Sequence, residues 1–355
     1  MQKLPRLFEI DVLKALAIGA VILIHTTSTS FQFYPPNSKT WITLVSIDQI
    51  LRFSVPLFVA LSGYLLALKY LQNPLSLKEF FKRRVFRIFP PYLFWTLIIF
   101  LYLRLLTQEP NPHFPLWEII LLGKADYHLY FVPMIFQLYL LFPLILKAYK
   151  KSFQITLFSA LAIQSAFYTI TTLAGLNLIK FNFKFDDQLQ YILPITWIFY
   201  FVLGIFLADS SLSKKVQKTT KFISLSFLLG GLILSIADTL STFGLTQNLN
   251  IATRSTRFPV LIYATGAIST AFVYKDLLLK IPRHIFSTLK WFGQRSYSIY
   301  LLHTIVLRIA YERIHSNSPL KLAILTTSVI IISYTAAHIT EDLGKYSKKV
   351  LSRGS

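Results

Sequence analysis

Three residues able to move protons or hold charge stand in one apolar run near the N-terminus. They are Asp11, Lys14 and His25, in Glu9-Ile10-Asp11-Val12-Leu13-Lys14-Ala15-Leu16-Ala17-Ile18-Gly19-Ala20-Val21-Ile22-Leu23-Ile24-His25. The run is apolar enough to enter a bilayer, where each ionisable group costs about 2.5–3.5 kcal/mol on insertion scales. Around a helix, Lys14 and His25 fall within about 20° of each other, and Asp11 within about 40° of His25. An acid, a base and an imidazole on one stripe usually face a bundle interior or a wet cavity. A neutral imidazole can take a proton from a hydroxyl and return it to a leaving group. The plainer reading is a packing histidine, and the cost of keeping three such residues in one span sets the two readings about level. Asp11 can neutralise Lys14, three residues on. It cannot orient His25 directly, because it lies about 21 Å away along the helix axis.

Other chemistry-bearing groups recur along the chain. Asp48 and Arg52 form an i,i+4 pair ahead of Phe53-Ser54-Val55-Pro56-Leu57-Phe58-Val59-Ala60-Leu61-Ser62-Gly63-Tyr64. There Pro56 is expected to kink the helix and free a carbonyl, and Ser62-Gly63 to allow close helix approach. The densest basic cluster is Lys82-Arg83-Arg84-Val85-Phe86-Arg87-Ile88-Phe89-Pro90-Pro91-Tyr92, read as an inner loop. Arginine forks bind phosphate, but a basic cluster beside a span also binds anionic lipid and sets topology. A second intramembrane imidazole, His303, closes Ser296-Tyr297-Ser298-Ile299-Tyr300-Leu301-Leu302-His303, and the last span ends in His338. His113, His128, His284 and His315 lie in or beside loops with no partner pattern. No spacing matches HExxH or another metal site, and no glycine-rich phosphate loop is present.

The elements that must position these groups are membrane helices. The 355 residues are 54% hydrophobic and 14% charged, with mean hydropathy +0.55. That composition is one of a polytopic membrane protein. There is no cysteine, which excludes disulfides, thiolate nucleophiles and Cys-based metal sites. Lys3 and Arg6 precede the first apolar run as in a signal peptide, but Glu9, Asp11 and Lys14 interrupt it and no small-residue cleavage site follows cleanly, so it is read as a retained span. Spans of about 20 apolar residues are expected at Leu7–Thr27, Thr43–Leu71, Val85–Leu106, Leu129–Leu146, Phe153–Gly175, Tyr191–Ala208, Phe222–Leu240, Phe258–Tyr274, Tyr297–Ile314 and Leu320–Asp342.

With the N-terminus in the cytoplasm, the inner segments hold 24 of the 36 basic residues and the outer segments nine. The net charge of +21 thus has its source in positive inner loops rather than in nucleic-acid binding. The expectation is an all-α integral membrane protein of about ten transmembrane helices, both termini cytoplasmic, in one domain over residues 1–355. The outer segments Thr107–His128, Asn177–Gln190 (with Asp186 and Asp187) and Ser241–Thr256 are rich in neutral polar groups and aromatics that suit sugar contact. For any single residue there, the plain reading is an ordinary exposed loop.

Five ordered motifs resemble acyltransferase family 3 membrane proteins over nearly the whole chain. Asp11-Val12-Leu13-Lys14 followed by His25 resembles the family's D-x-x-R-x(10)-H signature, with Lys14 where the family usually has arginine. Ser54–Tyr64, Arg83–Tyr92, Leu129-Tyr130-Phe131-Val132-Pro133 through Pro143, and Ser296–His303 are similar to four further family segments. The resemblance is closest to the branch of surface-polysaccharide O-acyltransferases of Gram-positive biofilm gene sets.

It implies transfer of an acyl group, acetyl or succinyl, to a hydroxyl of a cell-envelope glycan. Acyl-CoA would be the cosubstrate, with no permanently bound cofactor and no metal. On this analogy His25 is the general base, with Lys14 and Asp11 beside it in the catalytic set. Arg83, Arg84, Arg87 and Tyr92 meet the CoA, and Arg52, Ser62, Tyr64 and His303 line the substrate site. The implied mechanism has the donor enter from the cytoplasm and its thioester meet His25, while the acceptor hydroxyl arrives from outside. The implied location is the plasma membrane, with polysaccharide synthase or export proteins as further partners. Some family members carry a hydrolase-like domain after the last span. This chain ends at Ser355, so the membrane domain is expected to act alone or with a partner. A glycan exporter or flippase and a non-catalytic scaffold are the rival readings.

Overall fold

A computed structural model of the chain describes residues 7–106, 114–179, 188–313, 327–332 and 335, with the side chains of residue 32 and residues 210–220 left aside. Most of the tenth expected span, Leu320–Asp342, lies outside the described residues. So do Asp186, Asp187, His113, His315, His338 and the terminal basic residues. Among the described residues the structure is helical, without strands. The helices are α1 (Phe8–Ser28), α2 (Lys39–Leu51), α3 (Ser54–Tyr70), α4 (Leu77–Leu106), α5 (Leu116–Leu121), α6 (Phe131–Lys151), α7 (Phe153–Gly175), α8 (Leu189–Ile192), α9 (Ile198–Ala208), α10 (Ser210–Thr246), α11 (Leu249–Ala252), α12 (Phe258–Val273) and α13 (Arg283–Arg313). Within the described residues, five helical stretches are long and apolar enough to cross a bilayer: Lys39–Tyr70, Leu77–Leu105, Tyr127–Lys151, Phe153–Gly175 and Lys221–Thr246. Ile198–Ala208 and Phe258–Val273 are shorter apolar helices.

The chain divides into two compact units. The first, residues 52–277, is built on glycine-mediated helix contacts. A Cβ added at Gly63 of α3 would overlap the carbonyl of Phe201 in α9, and one at Gly204 of α9 would overlap the carbonyl of Ala60 in α3. The same reciprocity joins α10 to α12, where Gly231 meets the backbone of Tyr263 and Gly266 that of Leu228. Small residues let helices in a bilayer approach to backbone contact, where dispersion replaces the missing hydrophobic drive. A ring cluster fills the interior: Phe142 lies 5.5 Å from Phe80, 6.1 Å from Tyr70 and 6.1 Å from Phe201.

Two of the expected spans are interrupted. The second breaks between α2 and α3, with Arg52 and Phe53 in the turn. Pro56 has no N–H for the Arg52 carbonyl, which is the interruption its position predicts. The sixth breaks at Leu193–Trp197, and side chains satisfy its freed groups. Gln137 donates to the Ile192 carbonyl (3.0 Å), Tyr168 to the Thr196 carbonyl (3.0 Å) and the Trp197 indole to the Tyr191 carbonyl (2.8 Å). Irregular backbone at membrane depth requires such partners. The basic cluster also differs from its reading as an inner loop, because Lys82–Tyr92 lies wholly inside α4.

The second unit takes residues 7–51 and the chain from 278 onward. Its seam is α1 against α13. Phe8 meets Lys290, Asp11 meets Gly293, His25 meets His303 and Phe33 meets Tyr311. Both numbers rise together, so α1 and α13 run parallel. The α1 helix is buried on nearly every side, from Ile10 through Val21 and Ile22 to Thr27, as expected of a helix packed inside a membrane protein.

Candidate active site

The α1–α13 seam carries polar groups at both ends. At the starting end Lys14 Nζ lies 3.5 Å from Asp11 Oδ1, and Gln294 of α13 donates from Nε2 to Asp11 Oδ2 at 3.3 Å. Asp11 is buried while Lys14 is partly open. Asp11 therefore neutralises Lys14, as the i,i+3 spacing allows. It also ties α1 to α13, a tie that the N-terminal sequence alone does not contain.

At the other end the rings of His25 and His303 have centroids 5.3 Å apart, tilted by 31°. His25 is half-buried and His303 fully buried. His303 Nδ1 lies 2.6 Å from the Tyr300 carbonyl. A carbonyl only accepts, so Nδ1 carries the hydrogen, and a neutral His303 holds its lone pair on Nε2.

Beyond His25 the helix stops in a run of hydroxyls. Thr26 and Thr27 donate to the Leu23 carbonyl, Ser28 to His25, and Thr29 and Ser30 to Thr26, all at 2.8–3.2 Å. The last carbonyls of a helix need such partners, and His25 consequently stands at a hydroxyl-rich terminus. The run Thr26-Thr27-Ser28-Thr29-Ser30 is the signal in the sequence that marks this end.

The remaining expected site residues belong to the first unit. Arg52, in the break before α3, donates from Nη1 to Ser255 Oγ (3.2 Å). Ser62 donates to the Phe58 carbonyl of its own helix (3.0 Å). Tyr64 is buried, and its hydroxyl accepts from Lys275 Nζ (3.2 Å) while its ring lies 4.6 Å from Phe272. The arginine cluster divides. Arg83 and Arg87 are exposed on one face of α4, and Arg83 Nη2 lies 3.4 Å from Glu79. Arg84 turns inward, its guanidinium 5.2 Å from the Tyr139 ring centre and 5.6 Å from that of Phe80. Tyr92 is buried and donates to the Ile120 carbonyl (2.8 Å).

The chain matches the family model described as an acyltransferase domain, acyltransferase 3, over residues 7–338. It belongs to acyltransferase family 3. No curated protein and no solved structure matched it. This family 3 acyltransferase is a membrane protein by both its family and its apolar helices.

Two segments of the family 3 acyltransferase, read from sequence as exposed outer loops, hold buried ion pairs. His128 and Asp126 are both buried, with Nδ1 of His128 3.4 Å from Asp126 Oδ2, and Asp126 also accepts from the Tyr127 amide (2.8 Å). Lys124 pairs with Glu118 at 2.7 Å. Arg257, counted as a loop charge, is buried against Asp238 through both Nε and Nη2 and also donates to Thr242 (2.7 Å). The i,i+2 step from Asp126 to His128 was the available sign of the first pair. The Asp238–Arg257 pair has no local sign, since its members come from different helical segments. Among the described residues no group of three His, Cys, Asp or Glu is placed to hold a metal ion.

Proposed function

We propose that this protein transfers an acyl group, acetyl or succinyl, from acyl-CoA to a hydroxyl of a cell-envelope polysaccharide, with His25 as general base. The observation that carries the reading is His25 itself: a half-buried imidazole at the hydroxyl-rich end of α1 in a chain of an acyltransferase family. In the reaction His25 takes the acceptor's O–H proton as the oxygen attacks the thioester carbonyl. The C–S bond breaks, the ester forms, and His25 returns the proton to the departing thiolate. Exposed Arg83 and Arg87, with the partly open Lys14, are assigned to the anionic donor. Arg84 and Tyr92 are assigned to hold α4 in place, and Arg52, Ser62 and Tyr64 to line the substrate path.

The proposal keeps the protein in the plasma membrane as one acyltransferase domain over residues 1–355, with ten spans and both ends cytoplasmic, as the basic inner loops support. The test is mass spectrometry of envelope polysaccharide from cells with and without the gene, and from cells carrying His25→Ala at equal membrane abundance. The expected result is loss of acyl esters in both at constant glycan export. Unchanged esters in His25→Ala would remove His25 from the mechanism. Loss of surface glycan with unaltered substitution would identify an exporter.

A further inference from the structure

Acyl transfer through one imidazole leaves a second imidazole at its side unexplained. His303 is fully buried on α13, its ring centre 5.3 Å from that of His25. The imidazoles are immediate neighbours across the seam, their planes tilted by 31°. The Tyr300 carbonyl holds the hydrogen on Nδ1 of His303 and so reserves Nε2 as an acceptor. A fully buried ring with a fixed tautomer is a poor substrate contact, because nothing from solution reaches it. It is well suited to act on a neighbouring ring, as an orienting group holds a catalytic imidazole in the productive tautomer.

The parallel run of α1 and α13 supplies the rigidity. Gly293 and Gln294 lock the starting end of the seam onto Asp11, and the imidazoles meet further along the same pair of helices. Sites on packed helices hold geometry more tightly than sites on loops.

We propose that His303 is a positioning residue for His25. Its buried ring packs beside His25, and its Nε2 lone pair stabilises the imidazolium formed when His25 takes the acceptor's proton. The proton stays with the imidazole pair until the thiolate leaves, and it then departs on sulfur, so protons and charge balance with no further reactant. This inference rests on His25 being the base.

Two variants separate its role from packing. His303→Asn keeps an N–H near Nδ1 for the Tyr300 carbonyl but removes the atom at Nε2. His303→Gln places an amide acceptor near Nε2. Each is expressed in cells deleted for the gene, its membrane abundance is measured, and acyl esters per sugar are counted by mass spectrometry beside His25→Ala. The expected result is an ester content lowered about 100-fold by His303→Asn and partly restored by His303→Gln. Wild-type esters in His303→Asn, or an equal loss in both variants at equal abundance, would overturn the inference. If His303→Asn fails to accumulate, His303→Gln decides: a content as low as that of His25→Ala overturns it, and a content well above that level supports it. If His25→Ala itself leaves esters unchanged, the assignment of the base has failed, a result distinct from failure at His303 alone.

Discussion

Gly293 of α13 sits directly on the backbone carbonyl of Asp11 in α1, so closely that a Cβ would overlap it. The contact fixes the spacing of the two helices that carry the imidazoles.

Gly293→Val should therefore force α1 and α13 apart. Overpacking of this kind costs about 1–3 kcal/mol, and the purified protein should melt several degrees lower in detergent. Gly19, within the same α1, has nothing within 4 Å of an added Cβ. Gly19→Ala should leave the melting temperature unchanged or raise it slightly, since alanine is the better helix former.

Removing one member of the Asp238–Arg257 pair should hurt more than removing both. Arg257→Met leaves Asp238 and Thr242 without their donor in a partly buried position, and breaking such a pair costs about 3–5 kcal/mol before allowance for the part of Asp238 that water reaches. The double variant Asp238→Leu with Arg257→Met should recover much of the lost melting temperature. A double variant melting below both singles would contradict this account.

Lys14 occupies the position where the family signature has arginine, and its ammonium pairs with Asp11. Lys14→Arg should retain acyl transfer, because it keeps the charge and adds a planar fork. Lys14→Met should lower polysaccharide ester content by about tenfold, the order expected for loss of one charge-assisted contact. Ester counts at matched membrane abundance check both.

Arg83 and Arg87 are exposed on α4, so their replacement should leave folding intact. The pair Arg83→Ala with Arg87→Ala should raise the acetyl-coenzyme A concentration needed for half-maximal thiol release by about tenfold, with the maximal rate held, as expected for loss of donor binding alone. Glu79→Ala should change the melting temperature little, because exposed ion pairs contribute at most a few tenths to about 1 kcal/mol.

Much of the helical plan was legible beforehand. The fifth expected span, Phe153–Gly175, is α7 residue for residue, and α1 and α12 lie within one residue of their expected bounds. Long apolar runs specify helices where backbone groups can bond only within their own segment. The ends of α4, α10 and α13 were less legible. Each helix begins well before its apolar run, at Leu77, Ser210 and Arg283, because a helix continues into water wherever charged residues with good helix propensity follow one another. The two breaks differ in what announces them: Pro56 marks the first locally, whereas the second at Leu193–Trp197 is held by Gln137 and Tyr168 from distant segments.

The sequence by itself determined that this is a helical membrane protein, that Asp11, Lys14 and His25 share one stripe of α1, and, through ordered motifs, that its family transfers acyl groups. Those properties follow from composition, from the rotation of a helix per residue and from the cost of charge in a bilayer, all of which act within a single segment. Only the tertiary structure decided that His303 is the ring beside His25, that Gln294 shares Asp11 with Lys14, that Arg84 turns inward while Arg83 and Arg87 do not, and that His128 is buried against Asp126. Those outcomes depend on which helices touch and at what register. Close packing sets that register through single residues such as Gly293, whose significance exists only once its neighbour is in place.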